Sequence, residues 1–151
     1  MRTRAAFAVA GLVYAAVTSV TAARLASVHS SGEQASVWSG VYTRAQAERG
    51  ESEYLKYCAS CHRDDLSGFS TVPTLKGEAF LSAWSGRTAD DLYTYIRTAM
   101  PPYSSLAISR QSYVDMVAFI FKSNSMPSGG EELEPDSALL GAIAIAKSDA
   151  R

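Results

Sequence analysis

Thiols and imidazoles are scarce in this chain, which has two cysteines and two histidines among 151 residues. A structural zinc centre needs four ligands, and the second histidine, His29, stands apart near the N-terminus among small polar residues. A zinc site is therefore not expected. An excess of one charge is lacking too: 14 basic side chains are balanced by 15 acidic ones, leaving no basic face of the kind nucleic acid requires. The apolar run from Ala5 to Val20 falls short of the roughly 20 residues of a membrane-spanning helix. No strand pattern precedes the cysteines, which argues against a thioredoxin-like dithiol. No constellation of catalytic acid, base and nucleophile is visible, so no enzymatic activity is expected.

What is present uses both cysteines and the other histidine at once, in Cys58-Ala59-Ser60-Cys61-His62. A single Cys-x-x-Cys-His reads as covalent c-type haem attachment. Two thiols three positions apart on one helical turn can each form a thioether with a haem vinyl group, and the adjacent imidazole then sits under the iron as its proximal ligand. A plain disulfide is possible in an exported protein, but it leaves His62 unexplained. The expected cofactor is one haem c, attached through Cys58 and Cys61. The length allows one domain, and a hydrophobic content of 47 %, with aromatic residues throughout, is enough to wrap a flat apolar cofactor.

The first residues read as targeting rather than fold. Arg2 and Arg4 form a positive n-region, the apolar run follows, and Thr21-Ala22-Ala23 offers small residues for signal peptidase. Residues 1–23 are expected to be a signal peptide, with an uncleaved anchor on the outer face of the inner membrane as the alternative. The protein is expected in the periplasm, with membrane contact only if that segment is retained. Residues 24–40, rich in Ser, Ala and Gly, read as a flexible tether. Residues 41–126 form the expected domain, and 127–151 an acidic C-terminal extension with a short helix over Ser137 to Ala146.

Within the domain the pattern is helical. A helix is expected from Thr43 to Tyr57, with Thr43 as cap and Gln46 at the capping-box position. After an irregular loop from Arg63 to Thr74, Glu78 to Trp84 is short and helical. Thr88 caps a further helix whose apolar face is Leu92, Tyr95, Ile96 and Ala99 and which Pro101 stops. Ser109 caps the last one, Arg110 to Ser123, with Tyr113, Met116, Val117, Ile120 and Phe121 at helical spacing.

The sixth iron position is the open mechanistic point, because a thioether there closes the site and suits electron transfer. Met116 lies in an apolar helix face and reads as core. Met126 follows the last helix and would need the chain to double back. Met100, before Pro101 and Pro102, has ample chain to reach the far side of the haem from His62, so His62 and Met100 are the expected metal ligands.

From Val41 to Ser125 the chain resembles the class I cytochrome c family. The matches, in order, are Gly50 and Tyr54 before the attachment motif, the motif itself, Met100-Pro101, and Met116-Val117-Ala118-Phe119 in the last helix. The resemblance implies an all-α fold wrapped around one haem, with Gly50 and Tyr54 crossing Met116 and Phe119. It implies that the carbonyl of Pro73 holds His62 by its second nitrogen, and that Trp84 and Arg87 lie near the haem propionates. Arg63 departs from the family, which commonly has a small residue there. The segments 41–50 and 80–84 are similar to small exported cytochromes associated with quinoprotein dehydrogenases. That similarity implies such a dehydrogenase as electron donor and a terminal oxidase as acceptor. The alternatives are a haem-based gas sensor or enzyme with a displaceable sixth ligand, and a fixed electron-relay subunit of a membrane oxidoreductase complex.

Overall fold

The computed structural model describes residues 35–102 and 107–148. The expected signal segment, His29 and residues 24–34 of the expected tether lie outside the described residues. Among the described residues six α-helices follow in order: α1 Arg44–Tyr57, α2 Ala59–His62, α3 Gly77–Trp84, α4 Ala89–Ala99, α5 Arg110–Ser123 and α6 Ser137–Gly141. Among the described residues no helix is long and apolar enough to cross a membrane.

Local chemistry sets the helix starts. The Thr43 hydroxyl accepts the Gln46 N–H at 3.1 Å, Ser109 accepts that of Ser112 at 2.9 Å, and Thr88 and Asp91 form a reciprocal capping box. Gln46 does not complete such a box. Its side chain is buried instead, donating to Asp115 Oδ1 at 3.1 Å and to the Leu133 carbonyl at 2.8 Å while accepting the Leu133 N–H. Burial of an amide costs free energy unless its hydrogen bonds are made, and here a distant segment supplies the partners. On α4 the buried face is Ala89, Leu92, Tyr93 and Ile96; Tyr95, expected inside, is exposed and packs its ring on Trp84.

The centre of the molecule is the crossing of α1 and α5. A Cβ on Gly50 would lie 1.8 Å from the Asp115 carbonyl oxygen, so only glycine lets the two backbones come this close. One turn on, the rings of Tyr54 and Phe119 meet with centroids 5.2 Å apart. Every residue of α5 from Tyr113 to Phe121 is buried, Met116 among them, because α5 is covered on more than one side. Met126 is buried as well, and its carbonyl accepts the Tyr42 hydroxyl at 2.6 Å.

Three further expectations need correction. The fold is mostly helical but not all-α: β1 (Ala35–Ser36), β2 (Arg87–Thr88) and β3 (Ile143–Ile145) form a small sheet in the order β1-β3-β2. Strands of two or three residues are too short to show a period of two, and their pairing is non-local. The fold also begins before Val41, since Val37 is completely buried. Finally, the C-terminal segment is not an appendage. Leu133, Leu140 and Ile145 are core residues, and the expected helix over Ser137 to Ala146 ends at Gly141 and gives way to β3, where two β-branched isoleucines favour a strand.

Candidate haem-binding site

The attachment motif sits where α1 hands over to α2. Cys58 ends α1, its N–H still bonded to the Tyr54 carbonyl at 2.8 Å, and the Cys58 carbonyl accepts the N–H groups of Cys61 and His62. That single turn puts Cys58, Cys61 and His62 around one opening. Both cysteines are free thiols, Cys58 half-buried and Cys61 exposed. Burial, with a smaller contribution from Cys61, pushes the Cys58 thiol up to about 11. The sulfurs of Cys58 and Met116 lie 3.7 Å apart, so α5 forms the floor beneath the motif.

His62 is buried, and its Nδ1 lies 3.0 Å from the Pro73 carbonyl oxygen. A carbonyl only accepts, so Nδ1 carries a proton, and in the neutral ring the lone pair is then on Nε2. The loop that brings Pro73 back is closed by backbone bonds: Gly68 N–H to His62 carbonyl at 3.0 Å and Leu75 N–H to Leu66 carbonyl at 2.8 Å. Arg63 takes φ 64° and ψ 159°, a conformation nearly reserved for glycine. The Ala59 carbonyl accepts its N–H, and its own carbonyl accepts the Tyr54 hydroxyl at 2.7 Å.

A mainly apolar cavity of about 550 Å³ opens beside this turn, bordered by all seven candidate residues, Cys58, Cys61, His62, Pro73, Trp84, Arg87 and Met100. Its walls include Phe80 of α3, Leu92 and Ile96 of α4, and Ile120 of α5. Met100 arrives in extended conformation at the end of α4, and the Tyr113 hydroxyl lies 3.5 Å from its carbonyl oxygen. The Arg87 guanidinium lies 5.3 Å from the centre of the Trp84 ring. Neither the Trp84 indole N–H nor the Arg87 guanidinium has a hydrogen-bond acceptor among the described residues. The contributions of Gly68, Tyr54 and Tyr113 escape a reading of the sequence; a lone glycine in the loop after the motif was the one available signal.

The donor set fits a haem. Two thiols border a cavity within the usual range for bound organic groups. An imidazole with one nitrogen already engaged and a thioether are iron-ligand chemistry, and a free indole N–H and guanidinium suit carboxylates. Among the described residues no group of three or more His, Cys, Asp or Glu side chains stands ready for a metal ion by itself.

Comparison with known proteins agrees. No curated protein and no solved structure matches this chain. The family model described as cytochrome C oxidase, cbb3-type, subunit III matches residues 45–120, from the start of α1 to the buried part of α5, and so encloses the attachment turn, the Pro73 loop and Met100. By that match, over half of its length, the chain belongs to this cytochrome c family of electron-transferring haem proteins.

Proposed function

We propose that the protein is a monohaem c-type cytochrome that shuttles single electrons outside the cytoplasm. Haem c would be held through Cys58 and Cys61, and His62 and Met100 are the residues that would ligate its iron. The observation that carries this reading is the meeting of Cys58, Cys61, His62 and Met100 at one apolar cavity, with His62 Nδ1 bonded to the Pro73 carbonyl.

When bound, the haem supplies the one-electron redox change. The chain supplies the rest. The Pro73 carbonyl holds the imidazole in one orientation, with Nδ1 engaged and Nε2 turned to the cofactor. Cys58 and Cys61 fix position, Phe80, Leu92, Ile96 and Ile120 keep water out, and Trp84 and Arg87 offer donors to carboxylates. Cys61 is the exposed member of the pair, so the rim beside it is where redox partners approach, through a small and transient surface. The donor is a periplasmic dehydrogenase, of the quinoprotein class by resemblance, and the acceptor a terminal oxidase. A fixed relay subunit is the second reading, favoured by the oxidase subunit named in the family description.

Optical spectra of the exported protein in both redox states, with a pyridine haemochrome assay, test this. A c-type haemochrome and a ferric sulfur-to-iron charge-transfer band that disappears in Met100→Ala are expected. Absence of haem overturns the proposal. Haem without that band, together with ready carbon monoxide binding, moves the function to sensing or catalysis. Co-purification with a large partner through high salt and detergent favours the relay subunit.

A further inference from the structure

The haem reading leaves β3 without a purpose. It joins two segments far apart in the chain, running parallel to β1 (Ala35 opposite Ile143) and antiparallel to β2 (Arg87 opposite Ile145, Thr88 opposite Ala144). The Gly86 N–H donates to the Ile145 carbonyl at 3.0 Å, so backbone bonding extends to the residue before Arg87. The Ile145 side chain is completely buried. Just beyond the strand, the Ala146 carbonyl accepts the Trp38 indole N–H at 2.8 Å and Lys147 pairs with Glu78 of α3.

Arg87 is thus held by its backbone from the C-terminal segment while its guanidinium, over the Trp84 ring, makes no hydrogen bond among the described residues at the cavity rim. Among the described residues it makes no ion pair. Asp91, four positions on, feels the Arg87 charge but spends one carboxylate oxygen on the Thr88 N–H and hydroxyl, each at 2.8 Å.

We infer that β3 is a strap that positions Arg87 against the anionic edge of the haem, which makes the C-terminal segment a determinant of reduction potential. The inference rests on the haem reading above. A cation held near the iron favours its less positive, reduced state, whereas the same cation swinging in water is screened. Releasing the strap therefore lowers the midpoint potential, and does so through Arg87.

The test compares the haem-loaded full chain with a chain ended after Ala142 and with Ile145→Ala, each with and without Arg87→Gln. Haem content, the ferric sulfur-to-iron band and midpoint potential are measured for all. Haem and band are expected to persist while the potential falls on loss of β3 or of the Ile145 side chain. Arg87→Gln alone should lower it at least as far, Arg87→Lys should restore part of the drop, and loss of β3 should add nothing in the Arg87→Gln background. An unchanged potential in either haem-loaded strap variant, or an equal fall with and without Arg87, overturns the inference. If the shortened chain takes up no haem, Ile145→Ala decides by the same criteria. If the full chain itself takes up none, the haem reading is what has failed.

Discussion

A Cβ on Gly68 would lie 2.6 Å from the carbonyl oxygen of Pro73, the same oxygen that meets His62 Nδ1 at 3.0 Å. The missing side chain is what allows the loop after the attachment motif to fold back so tightly, with Gly68 at φ +62° and bonded to the His62 carbonyl. A residue with no polar atom of its own beyond the backbone thereby sets the orientation of the candidate iron ligand.

Gly68→Ala should consequently destabilise the fold by about 3 kcal/mol, combining a left-handed backbone cost of roughly 1–2 kcal/mol with overpacking against Val72 and Pro73. Gly77, at φ +71° with open space where its Cβ would stand, is the control. Gly77→Ala should lose only the backbone part, about 1–2 kcal/mol. Urea unfolding of both variants measures the difference, and equal losses would contradict the close approach.

Arg63→Gly should raise stability by about 1 kcal/mol. The native φ and ψ strain any residue with a Cβ by roughly 1–3 kcal/mol, against which stands the extra chain entropy that glycine loses. The variant also gives up the guanidinium over the Phe69 ring at 5.4 Å, an exposed contact worth about 0.5–1 kcal/mol. A lower denaturation midpoint would show that this contact outweighs the strain.

Asp115 is buried and accepts from Gln46, Arg49 and Gln111. Arg49 reaches on to Glu132 at 2.6 Å, so one carboxylate ties α1, α5 and the C-terminal segment together. Asp115→Ala takes one acceptor from the buried Gln46 amide and the carboxylate from Arg49 and Gln111, and should cost about 3 kcal/mol. Lys122→Ala, which removes the exposed pair with Glu51 and the ammonium over the Phe119 ring at 5.9 Å, should cost about 1 kcal/mol or less. Denaturant unfolding of the two, and hydrogen exchange in residues 131–145 for Asp115→Ala, check the contrast.

Acid should weaken the fold partly through the attachment loop. Ser67, through its side chain and its backbone N–H, and then Lys76 hold the Asp65 carboxyl down to about 2, below the usual value near 4. A depressed folded-state pKa contributes stability that is fully present above about pH 4 and is lost as the pH falls towards 2. Asp65→Asn should flatten the stability profile between those limits and leave it unchanged in shape near neutrality. Thermal unfolding from pH 2 to pH 7 measures it, and an identical acid slope in the variant would exclude this contribution.

Features governed by near neighbours in the chain were legible beforehand. The caps Thr43, Thr88 and Ser109 stand where side-chain oxygens precede apolar periodicity, and α5 has the expected bounds of Arg110 and Ser123. The crossing at Gly50 followed from the family resemblance, and the Asp115 carbonyl supplies its physical reason. Tyr93 and Tyr95 were exchanged on α4 because helical spacing leaves two aromatics two positions apart equally placed at the edge of the apolar stripe. Which of them turned inward depended on the surrounding packing.

The sequence alone determined the chemistry of Cys58, Cys61 and His62, since spacing on one helical turn is a covalent property of the chain, and it determined most helix starts for the same local reason. Only the tertiary structure decided that residues 35–37 and 127–148 belong to the folded body, that Gln46 serves Leu133 rather than its own helix end, and that β3 runs beside Arg87. Those relations join residues more than fifty positions apart. They are selected by which buried groups must find hydrogen-bond partners and which apolar side chains must leave water once the helices have packed, and no local pattern encodes that choice.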